Sequence, residues 1–457
     1  MAGIAGRQRR RRRRPDHVRL HGPPAAHGPL EEFHRPDYRG GSILNLLSSI
    51  IRSRGGRSPH PELTALPAKS LAPARRVIYV LVDGLGAAQL ERHLRQGQGR
   101  AFFAAHPRAV ITRVFPATTA AAVTTFATGA SPAEHAVLGW TINLPDLGIV
   151  GNVLLERTPT GTPLADPARL SKYLALPSHM DSVKGATAFL AEKRIVGSAH
   201  TRAGTRWQQH RAFDTLRGLQ RAALSFARQP GRGVAYAYWG DYDHRCHSYG
   251  CAHEQVARHF DDLDGMLAGL ARGLRGANAV LIVTADHGLV DVPARRRVLL
   301  TGVPGLPACL ATLPSGDARA AACFVRPGRE AAFKRIVRER LRRRCVLVPR
   351  QELLSAGLLG PGVPHRALEG RVGDYLLLAR AGCAFESRVP WEPRTSKRAE
   401  HGGLSRSEML VPLVVVGAAP ARGHTQTVLH SAGQPGTIRS RPIRAVAAIT
   451  GRGRRRE

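Results

Sequence analysis

The sequence predicts an α/β fold with a central, mainly parallel sheet that is flanked by helices and carries a smaller inserted subdomain. Three apolar runs, at 77–82, 235–239 and 279–285, have the length of strands, and an acidic residue follows each of them closely. Continuous apolar strands are typical of a sheet that is buried on both faces. Ligands gather at the carboxyl ends of such strands, so we expect the acidic residues at one edge of the sheet.

The length and composition allow a folded domain of this kind. The chain has 457 residues and a hydrophobic content of 43%, so it can bury a full core, and disorder throughout is excluded. Its formal net charge is +35, and only six of its 68 basic residues are lysine. Because the whole chain is rich in arginine, alanine, glycine and proline, this charge does not by itself indicate a binding surface.

Much of the basic charge lies at the two ends. Residues 1–36, with the basic run 7–14, are predicted to be a disordered Arg-rich extension, and residues 420–457, with the run 452–456, a basic tail. Solvated ends are favoured over contact with nucleic acid, and contact with an anionic membrane surface is the weakest alternative. The main domain is therefore expected to span residues 37–419.

The sequence also carries an expectation about location. The basic start is not followed by the apolar segment of a secretory signal, and the longest apolar runs, such as 410–416, are too short to cross a bilayer. Six cysteines without CxxC pairing suit a reducing compartment. A cytoplasmic protein is expected, and its oligomeric state is left open.

Periodicity and turn residues place the elements along the chain. Small residues after Pro116 favour a tightly packed helix that begins near Thr118 or Thr119, because threonine is a good N-cap. Short strands and turns after residue 290 predict the inserted subdomain at about 291–400. The other expected elements are helices at 42–51, 87–94, 215–227, 253–274 and 331–343, a linker at 55–61, and strands at 77–82, 109–115 and 410–416.

The motif VTADHG at 283–288 is the sharpest local signal. Asp286 and His287 are adjacent at the end of a predicted strand. A carboxylate beside an imidazole supplies a hard and a borderline donor to one divalent ion. Taken alone, the motif also fits a solvated turn.

Asp243 and His247, in the segment WGDYDHRCHSYG, are four residues apart. On a helical turn this spacing directs both side chains toward the same ion. Asp241 and His244 are rival candidates, but His244 would face away from Asp243, and Asp241 would orient a ligand or cap the turn. Cys246 is a candidate thiolate ligand, although the carboxylate and imidazole donors nearby favour a packing role.

Three further positions complete the candidate site. Asp83 follows an apolar strand and precedes two glycines that let the backbone bend, so it is either a ligand or the cap of a turn. Thr119 lies at a helix start, where backbone N–H groups favour an anion and where a metal can activate a hydroxyl; Thr118 is the alternative. His401 would give Asp243 and His247 the third ligand that a typical catalytic zinc has.

The order of these motifs resembles the type I phosphodiesterase and nucleotide pyrophosphatase branch of the alkaline phosphatase superfamily. The shared pattern is a strand followed by Asp, a Thr at a helix start, DxxxH, DH and a late His, and it covers roughly residues 38–416. The resemblance implies an alkaline phosphatase-like fold and a phosphoric ester hydrolase. It also implies a small phosphoester or nucleotide substrate and two divalent metal ions, expected to be Zn²⁺.

The resemblance further implies a role for each candidate residue. Thr119 would be the nucleophile that forms a phosphothreonine, and a water activated at the first metal would hydrolyse this intermediate. Thr119 would also contact the second metal. The implied ligands are Asp243, His247 and His401 for the first zinc, and Asp83, Asp286 and His287 for the second.

One departure from the family pattern bears on catalysis. Where eukaryotic-type members carry an Asn three residues after the nucleophile, this chain has Ala122, so we expect one donor to the transition-state oxyanion to be missing. Two alternatives stay open. One is a phosphomonoesterase or phosphonate hydrolase with the same site, and the other is a basic nucleic-acid-binding protein with an unused hydrolase fold.

Overall fold

The computed structural model describes residues 30–158, 160–164, 174–387 and 397–417. The predicted C-terminal tail lies outside the described residues, and so does the predicted N-terminal extension up to residue 29. Within the described part, no helix is both long and apolar enough to cross a membrane.

Residues 30–36 belong to the predicted extension, but they contact the domain. Leu30 is 2% exposed and packs in an apolar cluster with Leu404 and Met409. The backbone N–H of His34 donates to the Leu404 carbonyl at 2.8 Å. The expectation of disorder is therefore corrected for this stretch, because a buried leucine anchors it.

The strands form a seven-stranded sheet, a four-stranded sheet and three two-stranded pairs within the described residues. Their bounds, in chain order, are β1 Arg76–Val82, β2 Arg108–Thr112, β3 Ile142–Leu144, β4 Ile149–Gly151, β5 Ala186–Glu192, β6 Gln209–Phe213, β7 Gly233–Trp239, β8 Ala279–Thr284, β9 Val290–Asp291, β10 Arg297–Leu299, β11 Ser315–Asp317, β12 Ala320–Cys323, β13 Cys345–Pro349, β14 Tyr375–Ala379, β15 Ala384–Glu386, β16 Ala399–Glu400 and β17 Leu410–Val416.

The large sheet confirms the prediction of a mainly parallel α/β fold. Its strand order is β2-β17-β8-β1-β7-β5-β6. Strand β1 pairs in parallel with β7 and β8, β5 pairs in parallel with β6 and β7, and β17 runs antiparallel to β2 and β8. Every residue of β1 and β7 is buried. Burial on both faces is the physical reason for their continuous apolar runs.

Helices cover the large sheet. The helix Leu216–Arg228 packs on β5, β6 and β7, and the helix Glu254–Gly273 packs on that helix in turn. The α-helices are Ile43–Ser53, Ala68–Leu71, Ala87–Arg95, Thr119–Thr128, Pro132–His135, Lys193–Val196, Ala199–Ala203, Leu216–Arg228, Asp241–Tyr249, Glu254–Gly273, Leu306–Cys309, Glu330–Ile336, Arg350–Ser355, Leu368–Val372 and Arg406–Met409.

Two predicted elements differ from the structure by more than two residues at one end. The strand expected at 109–115 ends at Thr112, because its neighbour β17 begins at Leu410, which pairs with Thr112. The helix expected at 331–343 is the α-helix Glu330–Ile336, which continues as a π-helical segment, Val337–Leu341.

The segment between β9 and β16 contains its own sheet. Strands β11, β12, β14 and β13 form it in that order, and each neighbouring pair is antiparallel. A buried ion pair joins this sheet to the large one: Arg319, just before β12, donates through Nε to the Glu408 carboxylate at 2.8 Å, just before β17. The inserted sheet is thus tied to the chain that follows His401.

Candidate metal centre

The predicted site residues meet at the carboxyl edge of the large sheet. Asp83 directly follows β1, and Asp286 and His287 follow β8. Asp243 and His247 lie on the helix Asp241–Tyr249, which begins two residues after β7. Because β1, β7 and β8 are parallel neighbours, their carboxyl ends deliver these side chains to one place.

The first group consists of Asp243, His247 and His401. Their candidate ligand atoms all lie within 4.8 Å of one another. His247 Nε2 is 3.2 Å from Asp243 Oδ2, as expected for residues four apart on one face of a helix. The structure therefore brings His401 to the two earlier residues, although more than 150 positions separate it from them in sequence.

The second group consists of Asp83, Asp286 and His287, whose candidate ligand atoms also lie within 4.8 Å of one another. His287 Nε2 is 3.3 Å from Asp83 Oδ1 and 3.5 Å from Asp286 Oδ2. Asp286 Oδ1 accepts hydrogen bonds from the backbone N–H groups of Gly84 at 3.0 Å and His287 at 2.9 Å. One oxygen of Asp286 is thus held by the backbone, while the other faces the imidazole.

Gly84 is required by this arrangement. Its φ is +76°, and a Cβ atom there would lie 2.8 Å from Leu289 Cδ1 and 3.0 Å from the Asp243 side chain. A side chain at this position would therefore displace the Asp243 side chain.

The three histidines share one orientation. Each donates from Nδ1 to a backbone carbonyl: His247 to Ala399 at 2.6 Å, His287 to Gly288 at 3.2 Å and His401 to Ala117 at 3.0 Å. A donated Nδ1 proton leaves the lone pair on Nε2, which is how metal-ligating imidazoles are commonly oriented. The rings of His287 and His401 stack with centroids 3.8 Å apart, which joins the two groups.

The Thr119 hydroxyl contacts the second group. Thr119 is the first residue of the helix Thr119–Thr128, and its Oγ1 is 3.1 Å from His287 Nε2 and 3.5 Å from Asp83 Oδ1. Thr118 is the N-cap residue; it is fully buried, and its hydroxyl has no hydrogen-bond partner among the described residues. Of the two neighbours, Thr119 lines the cavity described below.

The electrostatics of the centre are unbalanced without cations. Burial, together with the charges of Asp286 and Asp243, raises the pKa of Asp83 well above its ordinary value, and burial raises the pKa of Asp286 to about 6. Burial also lowers the pKa of His287 well below its ordinary value. These pKa shifts show that burial disfavours the charged forms of both carboxylates and of the imidazole.

Two carboxylate oxygens test whether metal ions fit here. Asp243 Oδ1 and Asp286 Oδ2 are buried and have no hydrogen-bond partner among the described residues. A buried carboxylate oxygen without a donor is costly, and a divalent cation would satisfy it. Each group thus supplies carboxylate oxygens and imidazole nitrogens, and one of its carboxylate oxygens lacks a donor. Each of these two donor sets fits one divalent ion.

The rival candidates lie outside both groups. His244 is exposed, and Asp241 forms an ion pair with Arg245 at 3.0 Å. Cys246 is buried in the apolar core as a free cysteine, and the other five cysteines are also free and buried. The favoured packing role of Cys246 agrees with this position.

Ala122 requires a correction. The sequence pattern suggested that a donor to the substrate is missing at this position, but Ala122 is fully buried in the main core and does not line the cavity. One helical turn after Thr119, the residue that lines the cavity is Val123. A longer side chain at 122 would therefore enter the core rather than the site.

Sequence reasoning missed two residues that contact the centre. The Tyr238 hydroxyl, from β7, donates a hydrogen bond to Asp83 Oδ2. Lys397 Nζ is 3.3 Å from His247 Nε2. Neither had a usable signal, because Tyr238 is one aromatic residue in an apolar strand and Lys397 follows no recognisable motif.

A large cavity opens in front of the centre. Its volume is about 1420 Å³, above the upper end of the usual range for small-molecule sites, which is roughly 1,000 Å³. Both candidate ligand groups contribute residues to its lining. Aromatic and basic side chains line the rest, among them Trp140, Phe189, Trp207, Tyr236, Arg157, Lys193 and Arg194.

Comparisons with known proteins agree with the fold and indicate a family. The sequence profile described as type I phosphodiesterase / nucleotide pyrophosphatase matches residues 77–404, well over half of the chain. No curated protein matches the sequence.

Solved structures with this fold include two kinds of hydrolase. An inactive variant of murine ectonucleotide pyrophosphatase / phosphodiesterase 5 in complex with AMP has a TM-score of 0.56 at 16% identity, over 75% of this chain and 88% of that one. Phosphonoacetate hydrolase from Sinorhizobium meliloti, in complex with phosphonoacetate, has a TM-score of 0.56 at 18% identity, over 75% of this chain and 90% of that one. At these identities the likeness supports the fold alone.

Proposed function

The chain belongs to the type I phosphodiesterase / nucleotide pyrophosphatase family of phosphoester hydrolases, and we propose that it cleaves small phosphodiesters or nucleotide pyrophosphates with two zinc ions and the Thr119 hydroxyl. One observation carries the proposal: two groups of buried carboxylates and imidazoles meet beside that hydroxyl, at the floor of a large cavity. The proposed ligands are Asp243, His247 and His401 for one ion, and Asp83, Asp286 and His287 for the other.

The donor set favours zinc. Nitrogen and carboxylate donors in sets of three are typical of catalytic zinc sites, which keep an open position. Bound zinc would supply positive charge beside the phosphoryl oxygens and the reacting hydroxyl.

The residues of the chain prepare the reaction in three ways. The Tyr238 hydroxyl holds Asp83, and backbone carbonyls hold the three imidazoles, so the ligands keep their positions without substrate. The helix Thr119–Thr128 directs its N-terminal N–H groups toward the bound phosphate. Lys397, beside His247, adds a positive charge at the cavity wall.

The reaction then has two displacements. Thr119 Oγ1 loses its proton and forms a bond to phosphorus while the bond to the leaving oxygen breaks. The leaving oxygen takes up a proton from solvent, so the step yields a phosphothreonine and releases an alcohol or a phosphate. Water then attacks phosphorus, the bond to Thr119 breaks and the hydroxyl is restored. In both steps the charge on the phosphoryl oxygens develops next to the helix N-terminus and Lys397.

The cavity supports a substrate of nucleotide size. Its volume of about 1420 Å³ far exceeds the needs of a small phosphonate, and Trp140, which is 37% exposed, offers aromatic surface for a base or another ring. AMP is bound in one structural neighbour and phosphonoacetate in another. The size and aromatic lining of the cavity favour the first kind of ligand.

We also propose that the catalytic domain consists of residues 37–419 together with the contacting stretch 30–36, that it has the inserted subdomain at about 291–400, and that it works in the cytoplasm. The four-stranded sheet between β11 and β14 supports the insertion. The six free cysteines support a reducing compartment.

The proposal is tested with purified protein that is stripped of metal and reconstituted with zinc. Hydrolysis of bis-p-nitrophenyl phosphate and of p-nitrophenyl phosphate is compared for the wild type and for Thr119→Ala. Removal of the nucleophile should reduce the rate by roughly 10⁴-fold or more, while both zinc ions stay bound. The two substrates report the preference for diesters over monoesters.

Matched variants separate the two neighbouring hydroxyls. Thr118→Ala should keep most of the activity, because Thr118 is buried away from the cavity, and Thr119→Ser should retain part of it because a hydroxyl remains. Full activity in Thr119→Ala would assign the attack to another group. A protein that binds no zinc and hydrolyses neither ester would contradict the proposed function as a whole.

A further inference from the structure

A third cluster of histidine and carboxylate side chains lies outside the cavity in front of the candidate metal centre. His60, Glu134 and His179 come from three separate segments, and their candidate ligand atoms lie within 4.8 Å of one another. His60 Nε2 is 2.8 Å from Glu134 Oε2, and His179 Nε2 is 3.3 Å from Glu134 Oε1. None of the three residues lines the cavity in front of the metal centre.

We propose that His60, Glu134 and His179 form a further zinc-binding site, which we call the His60 site. Two imidazole nitrogens and one carboxylate are a donor set that zinc takes in proteins. His60 and Glu134 are buried, while the His179 side chain is 24% exposed. The site is thus enclosed on two sides and reachable from solvent on the third, where water can complete the coordination.

The surrounding contacts hold the ligands in place. Glu134 lies on the short helix Pro132–His135, and its Oε2 accepts the Ser131 N–H at 2.7 Å in a capping box. The His60 carbonyl accepts hydrogen bonds from Ser48 Oγ at 2.7 Å and Arg52 Nη2 at 3.0 Å, both on the helix Ile43–Ser53. Partners of this kind fix metal ligands in advance and raise the affinity of a site.

The backbone of Gly362 lies close to the Glu134 side chain. Gly362 has a φ of +117°, and a Cβ atom there would lie 2.3 Å from Glu134 Cδ. The Ser131 hydroxyl donates to the Pro361 carbonyl at 2.6 Å, which holds this loop against the Glu134 helix. The loop therefore closes one side of the His60 site and leaves room only for glycine.

The position of the site suggests its role. The N–H of His179 donates to the Thr128 carbonyl at 2.8 Å, at the C-terminal end of the helix that begins with Thr119. A helix of this length spans about 15 Å, so the His60 site and the proposed nucleophile lie at opposite ends of one helix. Zinc at this site would join Glu134 to His60, which is 74 residues away in sequence, and to His179, which is 45 residues away. These links would fix the C-terminal end of that helix.

The competing arrangement is a hydrogen-bonded cluster without metal, in which both Nε2 atoms carry protons and donate to Glu134. Zinc needs the same nitrogens as lone-pair donors, so the two arrangements exclude each other. They differ in a quantity that can be measured directly, the zinc content of the chain.

Zinc content is measured by atomic emission after reconstitution of the full chain and removal of excess metal. The wild type should bind three zinc ions. The double variant Asp243→Ala/Asp286→Ala, which removes a ligand from each catalytic group, should keep one, and adding His179→Asn should remove it. His210→Asn, at an exposed histidine on β6, is the matched control and should leave the zinc content unchanged.

Cobalt substitution gives an independent signal from the same site. The double variant loaded with Co²⁺ should show visible absorption bands of a low-coordinate site, and His179→Asn should abolish them. Because His179 is partly exposed, its replacement should not prevent folding, which circular dichroism checks. If it does, His60→Gln in the same background replaces it.

The outcomes separate this proposal from the proposed catalytic function. A double variant that holds no zinc, or one whose zinc content does not depend on His179, overturns the His60 site and leaves the catalytic proposal standing. A wild type with a single zinc that survives in the double variant supports the His60 site and contradicts the catalytic metal centre.

Discussion

Two regions of the molecule bury carboxylates, and they differ in whether the carboxylate oxygens have hydrogen-bond partners. In the metal centre, Asp243 Oδ1 and Asp286 Oδ2 have no hydrogen-bond partner among the described residues. In the ion pair of Arg319 and Glu408, both Glu408 oxygens are satisfied: Oε1 accepts from Arg319 Nε at 2.8 Å and the Gly403 N–H at 2.7 Å, and Oε2 accepts from Arg319 Nη2 at 3.1 Å. The ion pair contains its own cation, whereas no cationic side chain of the described residues donates to these two aspartate oxygens.

The pKa values follow the same division. Burial and neighbouring carboxylates raise the pKa of Asp83. Burial alone would raise the pKa of Glu408 too, but the charge of Arg319 and hydrogen bonds from Ser405 and Gly403 lower it below its ordinary value. We therefore expect the unpaired carboxylates of the centre to lower the stability of the metal-free protein and to favour cation binding. The ion pair of Arg319 and Glu408 instead holds the His401 loop in place.

The first prediction removes one unsatisfied carboxylate from the centre. Asp286→Asn should lower the rate of phosphodiester hydrolysis by roughly 10³-fold, since a metal ion contributes several kcal/mol to the transition state. In metal-free protein the same variant should be more stable than the wild type by about 1 kcal/mol, because it relieves like-charge crowding. Urea unfolding in the presence of a chelator measures the second effect.

The control for this variant is Asp241→Asn, which changes a carboxylate on the same edge that is paired with Arg245. It should change both quantities little. Lower stability of metal-free Asp286→Asn would show that the centre is not crowded by negative charge.

The second prediction breaks the balanced region. Glu408→Gln leaves the Arg319 guanidinium buried without its counterion, so the free energy of unfolding should fall by about 3 kcal/mol. Urea unfolding of the metal-loaded protein measures it. The double variant Arg319→Met/Glu408→Gln should recover part of the loss, and strictly additive losses would mean that the two side chains do not interact.

The third prediction concerns the hydrogen bond from the Tyr238 hydroxyl to the proposed metal ligand Asp83. Tyr238→Phe removes the hydroxyl that donates to Asp83 Oδ2, and it should weaken zinc binding by roughly 10- to 100-fold. Tyr236→Phe is the matched control, because the Tyr236 hydroxyl lies on the same strand and has no partner among the described residues. Equal zinc affinities for the two variants would show that the contact with Asp83 does not tune the centre.

The fourth and smallest effect is a difference in pH dependence. Because the folded state lowers the pKa of Glu408, its contribution to stability is present above its ordinary pKa near 4.5 and is lost as the pH falls through the folded value. The wild type should therefore lose stability in acid more steeply than Glu408→Gln. Chemical unfolding at neutral pH and again below pH 4.5 measures the two slopes, and parallel slopes would contradict this assignment.

Local pattern was sufficient to predict much of the candidate site. Asp83 and Asp286 stood out because each follows a continuous apolar run, and the four-residue spacing of Asp243 and His247 predicted one helical face. The choice of Thr119 over Thr118 was left open by the residues alone and depended on the family resemblance. The geometry now supports Thr119, because its hydroxyl faces His287 and the cavity.

Other features depend on contacts between distant segments. The direction of Ala122 into the core, the bond from Tyr238 to Asp83 and the meeting of His60, Glu134 and His179 have no trace in local periodicity. Each arises where two elements pack against each other.

The sequence by itself determined the parallel sheet, the acidic residues at its carboxyl edge and a helix that begins near Thr118 or Thr119, because these depend on the period and the ends of single elements. The tertiary structure decided which of the polar side chains meet. His401 joins Asp243 and His247 because its loop is held by Glu408 and by the bond from His401 to Ala117. Such convergence is set by the packing of whole elements, which no local spacing records.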